Sequence, residues 1–263
     1  MKLQEEMTMG PFDLILFAGQ SNMAGRGCAG EAPVCAPDAG WEYRAVSAPK
    51  KLCPIAEPFG SGENLPGGID DGQKKTGSLV SAFVSEYYNL MGRAVVAVSA
   101  SKGGTSSQEW RDVLASDAAQ RLAQAKGWLA SQGHVPGRVL VLWCQGETDA
   151  DHAVSAEEYR RNFEESWRAL KGAGAQACGL IQIGHFNHRV YPQGMYGLTG
   201  EALDAQYEVI RIAQAAIVKA MPDVFFAGSF EPLETQMKDE FHYLQSAYNL
   251  VGAQAARYTS LAK

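Results

Sequence analysis

The sequence predicts an α/β fold in three layers, helix on sheet on helix, built around a doubly wound parallel sheet of five strands. Three observations carry that expectation. Five short, nearly continuous apolar runs are spread along the 263 residues, as in strands buried on both faces rather than one. The segments between them place apolar residues three and four apart, the pattern of a helix with one face on a core. Strand and helix alternate, and β-α-β units close right-handed into a parallel sheet covered on both sides.

The elements follow in order. The first run, residues 13–18, leads straight into a polar turn, Gly19-Gln20-Ser21-Asn22, which would present a serine hydroxyl at the sheet's edge. Residues 28–77 are rich in Pro and Gly and show no periodic run. They are expected to form an irregular insertion at the rim of a site, with an inert covering loop as the other reading. Leu79, Val80, Phe83, Val84, Tyr87, Tyr88 and Met91 recur at helical spacing, and Gly92 is a stop signal. A second strand is expected at 94–99, a helix between 112 and 131, and a third strand at 138–144. Ser155-Ala156-Glu157-Glu158 has the form of a capping box and opens a helix running to about residue 171. A fourth strand at 178–184 precedes an alanine-rich helix over 201–221, where Pro222 prevents continuation. A fifth strand at 224–229 and a last helix over 244–258 complete the chain, so residues 1–263 read as one domain.

Composition narrows the partners. A formal net charge of -6 argues against nucleic acid or an anionic membrane, which are bound through clustered Lys and Arg. Lys50-Lys51 and Lys74-Lys75 read as isolated, solvated pairs. The N-terminal run 1–7 is acidic and lacks an apolar signal core, while 14–18 is too short to span a membrane. A cytoplasmic protein is expected, or a secreted one if a leader has been removed. The five cysteines lack C-x-x-C spacing, so no zinc site is indicated. Cys144 and Cys178 fall in strand-like runs and read as buried packing groups, and a local Cys28–Cys35 pair is left open.

Ligands of open α/β sheets bind beyond the carboxyl ends of the strands, and each of the five ends is polar. Ser21 follows the first strand, Lys102-Gly103-Gly104-Thr105 the second, Gln145-Gly146-Glu147-Thr148-Asp149 the third, and His185-Phe186-Asn187-His188 the fourth; Asp239 and His242 follow the fifth and its loop. A serine hydroxyl attacks carbonyl carbon well only when a base takes its proton. Asp239 and His242 offer a carboxylate and an imidazole three residues apart, which on a helical turn would share one side. His185 and His188 have metal-ligand spacing but no identified third ligand, so a substrate-facing or exposed pair is expected. Trp110 and Trp143 are candidates for the core or for a wall on which a sugar ring stacks.

Gly19-Gln20-Ser21-Asn22-Met23, Gly103-Gly104-Thr105, Trp143-Cys144-Gln145-Gly146-Glu147-Thr148-Asp149 and Asp239-x-x-His242, in that order, resemble the blocks of the SGNH hydrolases, whose sheet is flavodoxin-like. The nearest branch is that of the sialate O-acetylesterases, carbohydrate esterase family six, which includes acetylxylan esterases. The resemblance implies Ser21 as nucleophile, His242 as general base and Asp239 as its orienting acid. It further implies an oxyanion hole from the Ser21 amide, a Gly103-Gly104 loop amide and the side chain of Gln145, which stands where the wider superfamily has Asn. Gln20, Asn22, Thr105, Glu147 and His185 are expected to contact substrate or line the site, and no metal or cofactor is required. The expected activity is removal of an O-acetyl group from a sugar, a polysaccharide such as xylan, or sialic acid, through an acetyl-serine intermediate. The chemistry agrees: glycine lets backbone amides approach the oxyanion, and the imidazole must be neutral to act, so activity should fall on acidification. A lipase or thioesterase, and a catalytically silent carbohydrate-binding protein, are the competing readings. The first wants a long apolar groove that 28–77 does not supply; the second has no chemical need for Ser21, Asp239 and His242 together.

Overall fold

The structure is a computed structural model that describes residues 9–72 and 74–262; the acidic run 1–7, on which the expected localisation rests, lies outside them. The strands are β1 (Phe12–Gly19), β2 (Gly40–Tyr43), β3 (Leu52–Pro54), β4 (Ala94–Ser101), β5 (Val139–Cys144), β6 (Ala177–Gln182) and β7 (Val224–Ser229). The helices are α1 (Ser21–Ala24), α2 (Val80–Met91), α3 (Ser107–Glu109), α4 (Ala115–Ser131), α5 (Glu147–Asp151), α6 (Ala156–Gly172), α7 (Gly200–Ala220) and α8 (Gln245–Leu261). Strand β1 is buried along its whole length because its side chains serve two cores. Leu14, Leu16 and Ala18 enter one and Ile15 and Phe17 the other. Successive strand residues point to opposite faces, so burial on both sides erases polar alternation from the sequence.

One core gathers Leu122 of α4, Phe163 and Trp167 of α6, and Tyr207 and Ile210 of α7. The other gathers Phe83 and Tyr87 of α2 with Tyr248 and Val251 of α8. These are the outer layers of the expected sandwich. Trp110 and Trp143 meet edge to face at 4.8 Å, and Trp143 meets Phe163 at 5.5 Å. Both tryptophans are essentially inaccessible, which removes them as platforms for a sugar ring.

The sheet has seven strands in the order β3-β2-β4-β1-β5-β6-β7, two more than expected. The extra pair comes from 28–77, where β2 adds to β4 in parallel and β3 pairs antiparallel to β2. Their signal is weak because β2 is only Gly-Trp-Glu-Tyr, with a buried carboxylate in its middle. Glu42 accepts hydrogen bonds from the Gly60 N–H at 2.9 Å and from Arg44 Nε at 2.7 Å. The five apolar runs form the remaining order β4-β1-β5-β6-β7, which reverses direction between β1 and β5. That switch point is where an open α/β sheet forms its ligand crevice.

Local signals fared unevenly. Gly92, at φ +60°, ends α2 with its N–H on the Tyr88 carbonyl. Ser155 Oγ accepts the Glu158 N–H at 3.2 Å, while the fully reciprocal capping box falls at Ser106 and Glu109. Cys28 and Cys35 are free thiols, as are the other three cysteines, and the Cys35 thiol donates to the Ser81 carbonyl instead of pairing with Cys28. Lys75 is not a solvated surface charge. Its ammonium donates to Ser99 Oγ at 3.0 Å and Ser101 Oγ at 3.3 Å, and burial pulls its pKa down to about 8.

Candidate active site

Strand β1 hands its chain to the site through Gly19. A Cβ at this residue, whose φ is +143°, would stand 1.9 Å from the Cys144 carbonyl oxygen, so only glycine lets the turn pass β5. The Gln20 N–H then bonds that same carbonyl at 2.9 Å, and Gln20's own carbonyl accepts from the amides of Met23 and Ala24. This places Ser21 at the first residue of the one-turn helix α1, 7% exposed.

Asp239 and His242 lie in a bend, not on the helical turn their spacing suggested. The carboxylate organises the bend: Asp239 Oδ1 accepts the Phe241 N–H at 2.9 Å and the His242 N–H at 2.7 Å, and Oδ2 faces His242 Nδ1 at 3.0 Å. Partial burial opposes ionisation of Asp239, but the His242 ring and these amides outweigh it and hold the carboxyl at about 2. A carboxylate on Nδ1 selects the tautomer protonated there and leaves Nε2 as the acceptor.

Ser21, Gly103, Gly104 and His242 line one cleft of about 260 Å³, joined by Gln20, Glu147, Thr148, Asp151, His152, Tyr196 and Phe241. The two distant ends of the chain are tied together by Asn22. Its Nδ2 donates to the Phe241 carbonyl at 3.2 Å and to Glu147 Oε1 at 2.6 Å, and its Oδ1 accepts from the Tyr248 hydroxyl at 2.7 Å. Asn22 is therefore a strut behind the cleft rather than part of its lining. Glu147, which does line it, is buried, and that burial raises its pKa against the opposing Asn22 hydrogen bond.

Gly103 sits where a side chain has no room: a Cβ would come within 2.6 Å of Arg26 Nη2 and 3.4 Å of Ser21 Cβ. Arg26 is itself buried and held by both oxygens of Asp71 at 2.9 and 2.8 Å. Thr105 does not reach the cleft. Its hydroxyl donates to the Lys102 carbonyl and accepts from Trp110 Nε1 at 3.0 Å, fixing the loop from behind.

Besides Asn22 and Thr105, two more expected lining or donor residues stand outside the cleft lining. Gln145 is fully buried outside the cleft lining, and its amide nitrogen donates to the Thr105 carbonyl at 2.9 Å and to Asp149. With both N–H groups so engaged, the side chain supports the loop instead of facing an oxyanion. Asp149 also accepts from the Ser107 amide at 2.8 Å and from its hydroxyl, which makes it a scaffold for the loop. His185 also lies outside the cleft lining. Its Nδ1 meets Asp204 of α7 at 3.0 Å, a contact that raises its pKa, and His188 approaches the same carboxylate at 3.5 Å. Both histidines thus fasten the segment after β6 to α7.

Asp151, His152, Tyr196 and Phe241 carry no strong local signal in the sequence. Asp151 stands four residues from Glu147, a spacing that puts both on one face of α5, and this was the available sign. Tyr196 sits in a Pro- and Gly-rich loop with no periodicity to mark it. Among the described residues, no group of three or more His, Cys, Asp or Glu side chains could hold a metal ion, and no helix is long and apolar enough to cross a membrane.

A serine beside the switch point of a doubly wound sheet thus shares one cleft with a carboxylate-bound imidazole and a glycine loop, groups of the kind that α/β/α ester hydrolases employ. The chain belongs to the family described as carbohydrate esterase, sialic acid-specific acetylesterase, whose model matches residues 11–260. That membership makes it a carboxylic ester hydrolase of the carbohydrate acetylesterase kind. No curated protein sequence matches it significantly. Solved structures share its fold at low identity. A protein from Arabidopsis thaliana superposes with a TM-score of 0.71 at 21% identity, over 97% of this chain and 100% of that one. The protein NanS gives 0.61 at 14% identity, over 95% and 97%. A carbohydrate acetylesterase from Xanthomonas citri gives 0.58 at 18% identity, over 95% of this chain and 57% of that longer one.

Proposed function

We propose that this protein hydrolyses O-acetyl esters of a sugar through an acetyl-serine intermediate, with Ser21 as nucleophile, His242 as general base and Asp239 as the acid that orients it. The observation that supports this reading is the convergence of Ser21, the Asp239-bound imidazole and the Gly103-Gly104 loop on one cleft. His242 Nε2 takes the Ser21 proton as Oγ attacks the acetyl carbon, and Asp239 stabilises the imidazolium that forms. The amides of Ser21 and of the Gly103-Gly104 loop receive the negative oxygen; one such donor contributes roughly a hundred- to a thousandfold in rate. The imidazolium returns its proton to the departing sugar hydroxyl. Water, deprotonated by the same imidazole, then releases acetate.

The cleft suits a short acyl group on a polar alcohol. Gln20, Thr148, Asp151 and His152 make up much of its wall, which is poor solvation for a long alkyl chain. Ser21→Ala should lower acetate release from an acetylated sugar and from 4-nitrophenyl acetate by about 10⁴-fold or more; a native rate would refute the assignment. Comparing 4-nitrophenyl acetate with the octanoate separates this reading from a lipase, and a panel of acetylated xylan, O-acetylated sialic acid and acetylated monosaccharides ranks the substrate class.

A further inference from the structure

The hydrolytic steps make no use of one part of the cleft wall, formed by Glu147, Asp151, His152 and Tyr196. Glu147 is 4% exposed, and while its Oε1 holds Asn22, its Oε2 has no hydrogen-bond partner among the described residues. Buried polar oxygens are nearly always paired, so an orphan acceptor on a cleft wall marks a place where a donor from outside belongs. Asp151, at the end of α5, accepts the Tyr207 hydroxyl at 2.8 Å with one oxygen and lines the cleft. Burial, assisted by the neighbouring carboxyls of Glu147 and Asp149, pushes its pKa up to about 7 against the Tyr207 hydrogen bond. Near neutrality it can therefore accept a hydrogen bond or donate one.

Beside these carboxyls on the same wall stands Tyr196, more than half exposed, with its ring 6.1 Å from that of His152. Its backbone is in the left-handed region, φ +55°, and so is that of Ala153, φ +54°, immediately after His152. Among the described residues these are the non-glycine positions with positive φ; Ala153 caps the end of α5, the N–H that follows it bonding the Asp149 carbonyl, whereas Tyr196 lines the cleft itself. Strained backbone of this kind concentrates where a ligand is clamped.

We infer that Tyr196, Asp151 and Glu147 form the subsite that holds the sugar from which the acetyl group is removed. The tyrosine ring covers the sugar's C–H face, and the carboxyls accept hydrogen bonds from its free hydroxyls. An acetyl group alone would engage neither, whereas a partly acetylated sugar presents both a C–H face and hydroxyl donors. The subsite rests on the ester-hydrolysis reading above and adds to it the residues that select the alcohol.

The test compares kcat/KM for 6-O-acetylglucose with that for 4-nitrophenyl acetate, whose leaving group has no hydroxyl donors beyond the scissile oxygen, in the native protein, Asp151→Asn, Tyr196→Phe and Tyr196→Asn. Asparagine tolerates positive φ, so the last change removes the ring without adding backbone strain. The ratio of the two constants should fall ten- to a hundredfold in Asp151→Asn and Tyr196→Asn, mainly through KM for the sugar ester, and stay near native in Tyr196→Phe. Because the two positions lie on separate elements, misfolding of one variant leaves the other to decide. A ratio within about twofold of native in both would overturn the subsite. If the native protein hydrolyses neither ester, the Ser21 reading falls. Calorimetric binding of glucose then decides the subsite: weakened binding in both variants supports it, and unchanged or absent binding overturns it.

Discussion

Adding one methyl group at Gly103 should disable the candidate oxyanion loop while leaving the fold intact. The Cβ would lie 2.6 Å from Arg26 Nη2, and relieving that to an ordinary van der Waals contact of about 3.4 Å requires a shift of about 0.8 Å. A free arginine tip would simply swing away. This one is buried and held by both oxygens of Asp71 at 2.9 and 2.8 Å, and breaking such a buried pair would cost about 3–5 kcal/mol. The loop backbone is the softer element, so it yields and carries its amide with it. Misplacing a catalytic group by about 1 Å can cost about a hundredfold in rate, and losing an oxyanion donor altogether costs about 2.7–4 kcal/mol of transition-state stabilisation. Gly103→Ala should therefore lower kcat for 4-nitrophenyl acetate by about 10²-fold with KM little changed, measured by steady-state kinetics beside a thermal melt. A variant with native kcat and an unaltered melt would refute the reasoning, because the methyl would then have been absorbed without moving the amide.

Asp239→Asn keeps an oxygen for the Phe241 and His242 amides but removes the charge beside Nδ1, so kcat should fall by about 10²–10⁴-fold with circular dichroism unchanged; loss of less than threefold would deny Asp239 its orienting role. Asp13, fully buried at the start of β1, is bonded by Arg93 at 2.7 Å, by the Tyr87 hydroxyl at 2.5 Å and by the Arg138 amide at 2.8 Å. Burial opposes its charge, yet these partners lower its pKa below the usual carboxylate value. Its contribution to stability is thus present above about pH 4, the unfolded value, and is lost as pH falls through the lowered folded one. In urea titrations, Asp13→Asn should cost about 3–5 kcal/mol at pH 7, and the gap to the native protein should narrow below pH 4; a gap independent of pH would refute the linkage.

The sequence by itself determined the layered α/β architecture, because each of the five central strands is buried on two faces and each covering helix on one, and such burial writes itself into local apolar spacing. It also determined the serine turn after β1 and the Gly103-Gly104 turn, each a contiguous cluster at a strand's end, and the Asp239–His242 pair, whose members stand close along the chain in the segment after β7. The tertiary structure decided what depends on partners remote along the chain. Glu42 hid a short strand because its buried carboxylate, satisfied by Gly60 and Arg44 from outside that strand, breaks the apolar pattern; Gln145 left the cleft because Thr105 and Asp149 take up its N–H groups; His185 was drawn to Asp204. Tyr196 and Asp151 came to one wall only through loop closure and the docking of α5 against α7. Periodicity records which face of an element is buried, but not which side chain of another element will meet it, and that meeting decides which polar groups remain free to act on a ligand.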